Sequence, residues 1–137
     1  MTVVDSVLTN WNIFPDSYAF YDGSGLSRYN LFSPKQIVTV LKKMRRHEDW
    51  FLWKDLFPTS GKDGTLKYRL LGTPLEGNIF AKTGTMSNVR CLSGYCVLPA
   101  GHELVFSIMV NGHLLKTRQI DKVVDKILSI ISRIYFN

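Results

Sequence analysis

Asn78-Ile-Phe-Ala-Lys-Thr-Gly-Thr-Met86 is the stretch on which the fold turns. Residues 78–83 form an apolar run ending in hydroxyl-bearing residues, and read as a strand. Met86-Ser-Asn88 is a short connection, after which 89–98 reads as a second strand. Pro99-Ala-Gly-His102 leads to a third over 104–110. Connections this short join antiparallel neighbours, because a parallel crossover needs roughly a dozen residues or more. The second half of the chain is therefore predicted to hold a three-stranded antiparallel meander. An amphipathic helix over 118–136 follows it. There Ile120, Val123, Val124, Ile127, Leu128, Ile131 and Ile134 recur at helical spacing, with Asp121, Lys122, Asp125, Lys126 and Arg133 on the other face.

Working back towards the start, the punctuation changes. Residues 1–12 read as a weakly amphipathic helix with Val4, Val7, Leu8 and Trp11 along one side, broken by Pro15. Residues 17–21 look strand-like, and Asp22-Gly-Ser-Gly25 is a turn signal. Ser33-Pro34-Lys35-Gln36 is a helix start: Ser33 as N-cap, Pro34 at the first helical position, Gln36 closing a capping box. This helix is expected to reach about His47 and to bury Ile37, Val40, Leu41 and Met44. The aromatic-rich segment 49–57 is expected to be a short buried helix stopped by Pro58. A loop over 59–64 precedes one or two helical turns at 66–71, broken by Gly72 and Pro74. The fold class is α/β of the α+β type, an antiparallel sheet flanked by helices.

Composition narrows the class of protein. A chain of 137 residues is one domain or a large piece of one, and 45% apolar with 20% charged residues excludes a disordered tail. The net charge of +6 favours anionic partners in general. The basic residues are scattered, however, apart from Lys42-Lys43 and Arg45-Arg46 on a predicted helix, so no nucleic-acid partner is expected. Met1-Thr-Val-Val-Asp5 lacks the basic start and apolar run of a signal peptide, and no run is long enough to span a membrane.

Few residues carry chemistry. Lys82 supplies a positive charge at the end of a strand, expected to lie inside a cleft where its field is stronger than in water. Thr83 and Thr85 offer hydroxyl donors, and Gly84 lets a peptide backbone approach the strand edge. A backbone N–H just after the glycine is placed to help hold an oxyanion. By itself this triplet also reads as a plain strand end with an exposed lysine. Cys91 and Cys96 are five apart in one strand, so they point to opposite faces and are expected to be buried free thiols. His47, His102 and His113 have no metal-ligand spacing and are expected at the surface; no metal and no cofactor are implied.

Lys82-Thr83-Gly84 resembles the third motif of the penicillin-recognising serine enzymes. Asp22-Gly-Ser-Gly-Leu-Ser-Arg-Tyr-Asn30, followed by Ser33-Pro34, adds a longer match. So do Gly61-Lys-Asp-Gly-Thr-Leu66 with Lys67 and Arg69, Ala81-Lys-Thr-Gly-Thr-Met86, and Leu92-Ser-Gly-Tyr95. Together, in this order over about 17–115, these segments resemble the D-alanyl-D-alanine carboxypeptidase/endopeptidase family of low-molecular-mass class C penicillin-binding proteins. The resemblance implies a β-lactamase/transpeptidase-like domain that removes D-Ala from peptidoglycan stem peptides through an acyl-enzyme, which β-lactams trap. It implies that Lys82, Thr83 and Gly84 bind the substrate carboxylate, that the Thr85 N–H joins the oxyanion hole, and that Met86 lies near the substrate side chain. It implies a location in the periplasm or cell envelope.

One departure is decisive. No serine in the chain has a lysine three residues later, and Ser-x-Asn is absent. The family carries both motifs upstream of its Asp-Gly-Ser-Gly signature, and only 21 residues precede that signature here. Ser24 and Ser27 have no matching base beside them, and a serine hydroxyl needs one. With Asp22, they are expected to support the cleft floor. The expectation is a single partial domain over 1–137, the C-terminal portion of such an enzyme, with no catalytic nucleophile of its own. Two other readings stay open. One is a non-catalytic module that binds a wall peptide. The other is an interaction protein that forms a homo-oligomer through an exposed sheet face.

Overall fold

The structure, a computed structural model, describes residues 2–136, so Met1 of the first predicted helix lies outside the described residues. Helices α1 (Val3–Asn10), α2 (Pro34–Arg45) and α3 (Trp50–Asp55) precede strands β1 (Ile79–Met86), β2 (Val89–Val97) and β3 (Glu103–Asn111), and helix α4 (Thr117–Phe136) closes the chain. The three strands form one antiparallel sheet in the order β1-β2-β3.

The turns explain why this meander forms. Ser87 and Asn88 alone join β1 to β2, and Asn88 takes the left-handed conformation that short polar residues tolerate, φ 63°. β1 is longer than the sequence suggests because Gly84, Thr85 and Met86 continue the ladder opposite Cys91, Arg90 and Val89. Gly94, opposite Ala81, is sterically required. A Cβ there would lie 2.1 Å from the Phe80 carbonyl oxygen and 2.6 Å from Ala81 Cα.

The two sheet faces differ. One carries Ile79, Ala81, Leu92, Cys96, Leu104, Phe106, Ile108 and Val110, and packs on Ile120, Val124 and Leu128 of α4, with Leu66, Leu70 and Leu75 closing one end. Each such side chain, fully buried, contributes about 1.5–3 kcal/mol. The other face receives α2 and α3 around Tyr95, which is 1% exposed. Trp50 meets the Tyr95 ring edge-on at 4.7 Å between centroids and Phe57 at 5.7 Å. Arg45 of α2 reaches across to Glu103 of β3 at 2.5 Å.

Several sequence expectations hold. The capping box of Ser33 and Gln36 is formed at the start of α2. Cys91 and Cys96 fall on opposite faces and are free, although Cys91 is only half-buried.

Others need correction. Residues 17–21 form only a 3₁₀ turn at Pro15–Ser17 and a single bridge between Ala19 and Leu31. The helical turns expected at 66–71 shrink to a 3₁₀ turn at Gly64–Leu66. Helix α3 is not a buried helix, because Phe51, Leu52 and Leu56 are more than two-thirds exposed and only Trp50 is buried. In α4 the sheet covers a narrower stripe than the apolar pattern, leaving Val123, Ile127, Ile131 and Ile134 exposed.

Candidate functional site

The outer edge of β1 is built in two parts. Near its start, the preceding loop pairs with it: the Ser60 N–H donates to the Ile79 carbonyl at 2.9 Å and the Ala81 N–H donates to the Pro58 carbonyl at 3.1 Å. Ser60, wholly buried, clamps this junction by donating its hydroxyl to the Leu75 carbonyl at 2.6 Å and accepting the Ile79 N–H at 3.1 Å. Beyond Ala81 the loop departs. Backbone groups alternate side to side along a strand. Because the Ile79 C=O and the Ala81 N–H face outward, so do the N–H and C=O groups of Thr83 and Thr85. Among the described residues no backbone group pairs with them. The sheet therefore ends in a short open edge at the Thr83–Thr85 segment.

The side chains divide between the faces. Lys82, Gly84 and Met86 share the face that bears Tyr95. Lys82 is exposed rather than enclosed in a cleft, and its Nζ donates to the Thr83 carbonyl at 3.0 Å on the open edge. Ser93 stands opposite Lys82 and Ser107 opposite Ser93, with the two hydroxyls 2.8 Å apart. This polar row across the sheet escaped the sequence reading because its members lie in separate strands. At Gly84 a Cβ would meet only Cys91 Cβ, at the ordinary distance of 3.5 Å. The fold does not require glycine there.

On the opposite face, Thr83 is buried and donates its hydroxyl to Thr65 at 3.1 Å. Thr85 Oγ1 accepts from Arg90. Arg90 and Arg69, both buried, form a four-membered ionic cluster with Asp121 and Asp125 of α4. Arg69, one of the basic residues that follow the 61–66 segment, is turned towards α4 and bonds Asp125 at 2.5 Å.

Past the Met86 end of β1 lies a cleft of about 760 Å³, walled by the 16–19 and 28–33 segments and floored by Met86, Val89, Cys91, Met109 and Asn111. Arg28 and Asn30 line it; Asp22, Ser24 and Ser27 do not. Those three instead fold the loop behind the wall. Asp22 accepts both the Ser24 hydroxyl at 2.7 Å and the Ser24 N–H at 3.0 Å, which holds its carboxyl below the usual range. Ser27 accepts the Tyr29 N–H at 3.2 Å, and the Asn30 amide ties the loop closed by donating to the Asp22 carbonyl at 2.9 Å. Among the described residues no lysine or histidine bonds to either serine hydroxyl, and the Ser24 hydroxyl is held by Asp22. In the same wall Tyr18 donates to Asp5 at 2.6 Å, and that bond raises its hydroxyl to about 12. Burial pushes the Cys91 thiol up from its ordinary value.

The model of the D-Ala-D-Ala carboxypeptidase 3 (S13) family matches residues 1–133. The chain is 37% identical over 112 residues to the D-alanyl-D-alanine carboxypeptidase DacB of Haemophilus influenzae, covering 80% of this chain and 23% of that protein. It is 40% identical over 115 residues to the D-alanyl-D-alanine carboxypeptidase of an Actinomadura species, covering 80% of this chain and 21% of that one. The chain thus spans roughly a quarter of the length of these relatives. Among solved structures, penicillin binding protein 4 of H. influenzae in complex with a β-lactam superposes with a TM-score of 0.82 at 31% identity, over 94% of this chain and 32% of that one.

Proposed function

The chain belongs to the D-Ala-D-Ala carboxypeptidase 3 (S13) family, and we propose that it supplies the substrate-binding strand of a serine-type D-Ala-D-Ala carboxypeptidase. The observation that carries this reading is the open edge of β1 beside Lys82. A peptide laid along that edge finds the outward N–H and C=O of Thr83 as a strand partner and the outward N–H of Thr85 as an oxyanion donor. The Lys82 ammonium and the Thr85 hydroxyl flank the place where the carboxylate of a terminal D-Ala would lie, while the Thr83 hydroxyl is buried against Thr65 and Thr83 offers its backbone. Gly84 keeps the edge bare where the fold would have accepted a side chain. Met86, on the floor of the cleft, is the contact for a substrate side chain.

The acylating serine is not assigned to this chain, whose sequence has no Ser-x-x-Lys. The reaction read here is acyl transfer from a peptidoglycan stem peptide, with β-lactams as trapped mimics, in the periplasm or cell envelope. The test is to label source-cell lysate with a fluorescent penicillin and precipitate with an antibody to this chain. A labelled band much larger than 15.7 kDa supports the enzyme. An unlabelled band at that mass overturns it.

The missing nucleophile motif favours one second reading, a non-catalytic module that holds a wall peptide on the same edge. Saturable binding of a D-Ala-D-Ala peptide by the 137-residue chain, weakened by Lys82→Ala, is its signature.

A further inference from the structure

Arg90 lies 8% exposed beneath the end of β1. Its Nε and Nη2 donate to the two carboxylate oxygens of Asp121 at 2.7 and 2.9 Å, and its Nη1 donates to Thr85 Oγ1. That last contact has a chemical direction. A guanidinium only donates, whereas a hydroxyl carries one hydrogen and two lone pairs. Thr85 Oγ1 must therefore accept from Arg90, and its own hydrogen is left to point elsewhere. Among the described residues no group accepts it. Thr85 is exposed and sits at the open end of the edge strand, so the free hydrogen is available to whatever lies there.

We propose that Arg90 is a positioning residue for ligand recognition: it holds the Thr85 hydroxyl as a donor towards the carboxylate of a molecule lying along β1, and Asp121 on α4 holds Arg90. The inference rests on the reading of β1 as the substrate strand. Arg69 provides the internal comparison. It pairs with the same helix through Asp125 and also reaches Asp121, but among the described residues no hydrogen bond joins it to β1. A plain ionic clamp between sheet and helix has no need of the Thr85 contact. With Arg90 replaced by an uncharged residue, the hydroxyl is free to rotate and present a lone pair, which repels a carboxylate.

The experiment uses the native product of this sequence in its source cells, with variants introduced at the gene. Acylation rates are measured for benzylpenicillin and for its methyl ester, which keeps the β-lactam ring and removes the charge. The wild-type protein is expected to favour the free acid. Arg90→Gln is expected to lower the acid-to-ester rate ratio about tenfold, the scale of one hydrogen bond to a charged group. Asp125→Asn, a change in the clamp alone, is expected to leave that ratio unchanged. Thr85→Val, which alters an exposed side chain and no fold contact except Arg90, is expected to reproduce the fall, and the double variant to add nothing to it. A wild-type preference for the acid that survives in both Thr85→Val and Arg90→Gln overturns the inference alone. Absence of any acylation of the wild-type protein overturns the reading of β1, and the inference with it.

Discussion

The Trp53 indole N–H donates to the Tyr95 hydroxyl at 3.0 Å, and that hydroxyl donates onward to the Leu41 carbonyl at 2.7 Å. One phenol on β2 thus fastens both α2 and α3 to the sheet. Tyr95→Phe keeps the ring and removes the relay, leaving the Trp53 indole N–H without its partner. The expected loss is about 1–3 kcal/mol in urea unfolding. A change of less than about 0.5 kcal/mol would mean that the helices are held by ring packing alone.

Alkaline pH should weaken the fold. Burial raises the Tyr95 hydroxyl from 10.0 to about 12 and the Cys96 thiol from 9.0 to about 11. Because the folded values lie above the unfolded ones, the folded chain binds more protons between these limits. The stability they contribute is whole below pH about 9 and is lost as pH rises towards about 12. Unfolding midpoints taken at pH about 8 and about 11 should differ, and Tyr95→Phe should flatten the upper part of the decline. Equal midpoints at the two pH values would show that neither group is coupled to folding.

Helix α4 offers a paired test of the core. Leu128 is 5% exposed against the sheet, whereas its neighbour Ile127 is 40% exposed. Leu128→Ala should cost about 2–5 kcal/mol through the cavity it leaves. Ile127→Ala should cost well under half of that in the same denaturation series. Similar losses at the two positions would mean that the outer face of α4 is covered in solution.

Two glycines of the ladder should respond oppositely to alanine. Gly94→Ala drives a Cβ into the β1 backbone and should abolish soluble folding. Gly84→Ala meets only an ordinary contact and should leave the unfolding midpoint within about 0.5 kcal/mol of wild type. Its effect should appear instead in penicillin labelling of the source-cell protein, which is expected to fall. Full labelling of the Gly84→Ala protein would show that no ligand backbone approaches that edge.

Lys82→Ala separates charge from shape at the same site. The Lys82 side chain is exposed, and among the described residues its hydrogen-bond partner is the neighbouring Thr83 carbonyl. Thermal stability should be unchanged, while affinity for a D-Ala-D-Ala peptide should fall about tenfold or more. Equal binding of the peptide and of its carboxamide by the wild-type protein would remove Lys82 from carboxylate recognition.

The sequence by itself determined the elements whose signals are local. The strands of the meander, the Ser33-Pro34-Gln36 helix start, the short connection at Met86-Ser-Asn88 and the opposed faces of Cys91 and Cys96 all follow from period, caps and turn chemistry within a few residues. The edge motif from Lys82 to Met86 was legible for the same reason, since its members are contiguous. Tertiary structure alone decided what covers what. Phe51, Leu52 and Leu56 read as core yet face outward, because the sheet offers α3 only the room around Tyr95. Lys82 stands exposed because the 59–64 loop leaves the strand after Ala81. The hairpin register sets Arg90 opposite Thr85, but what holds its guanidinium is Asp121 of α4, 31 residues beyond Arg90. Hydrophobic period and turn preference are set by neighbours along the chain. Burial and ion pairing depend on which distant surfaces meet, and one strand's sequence carries no record of that.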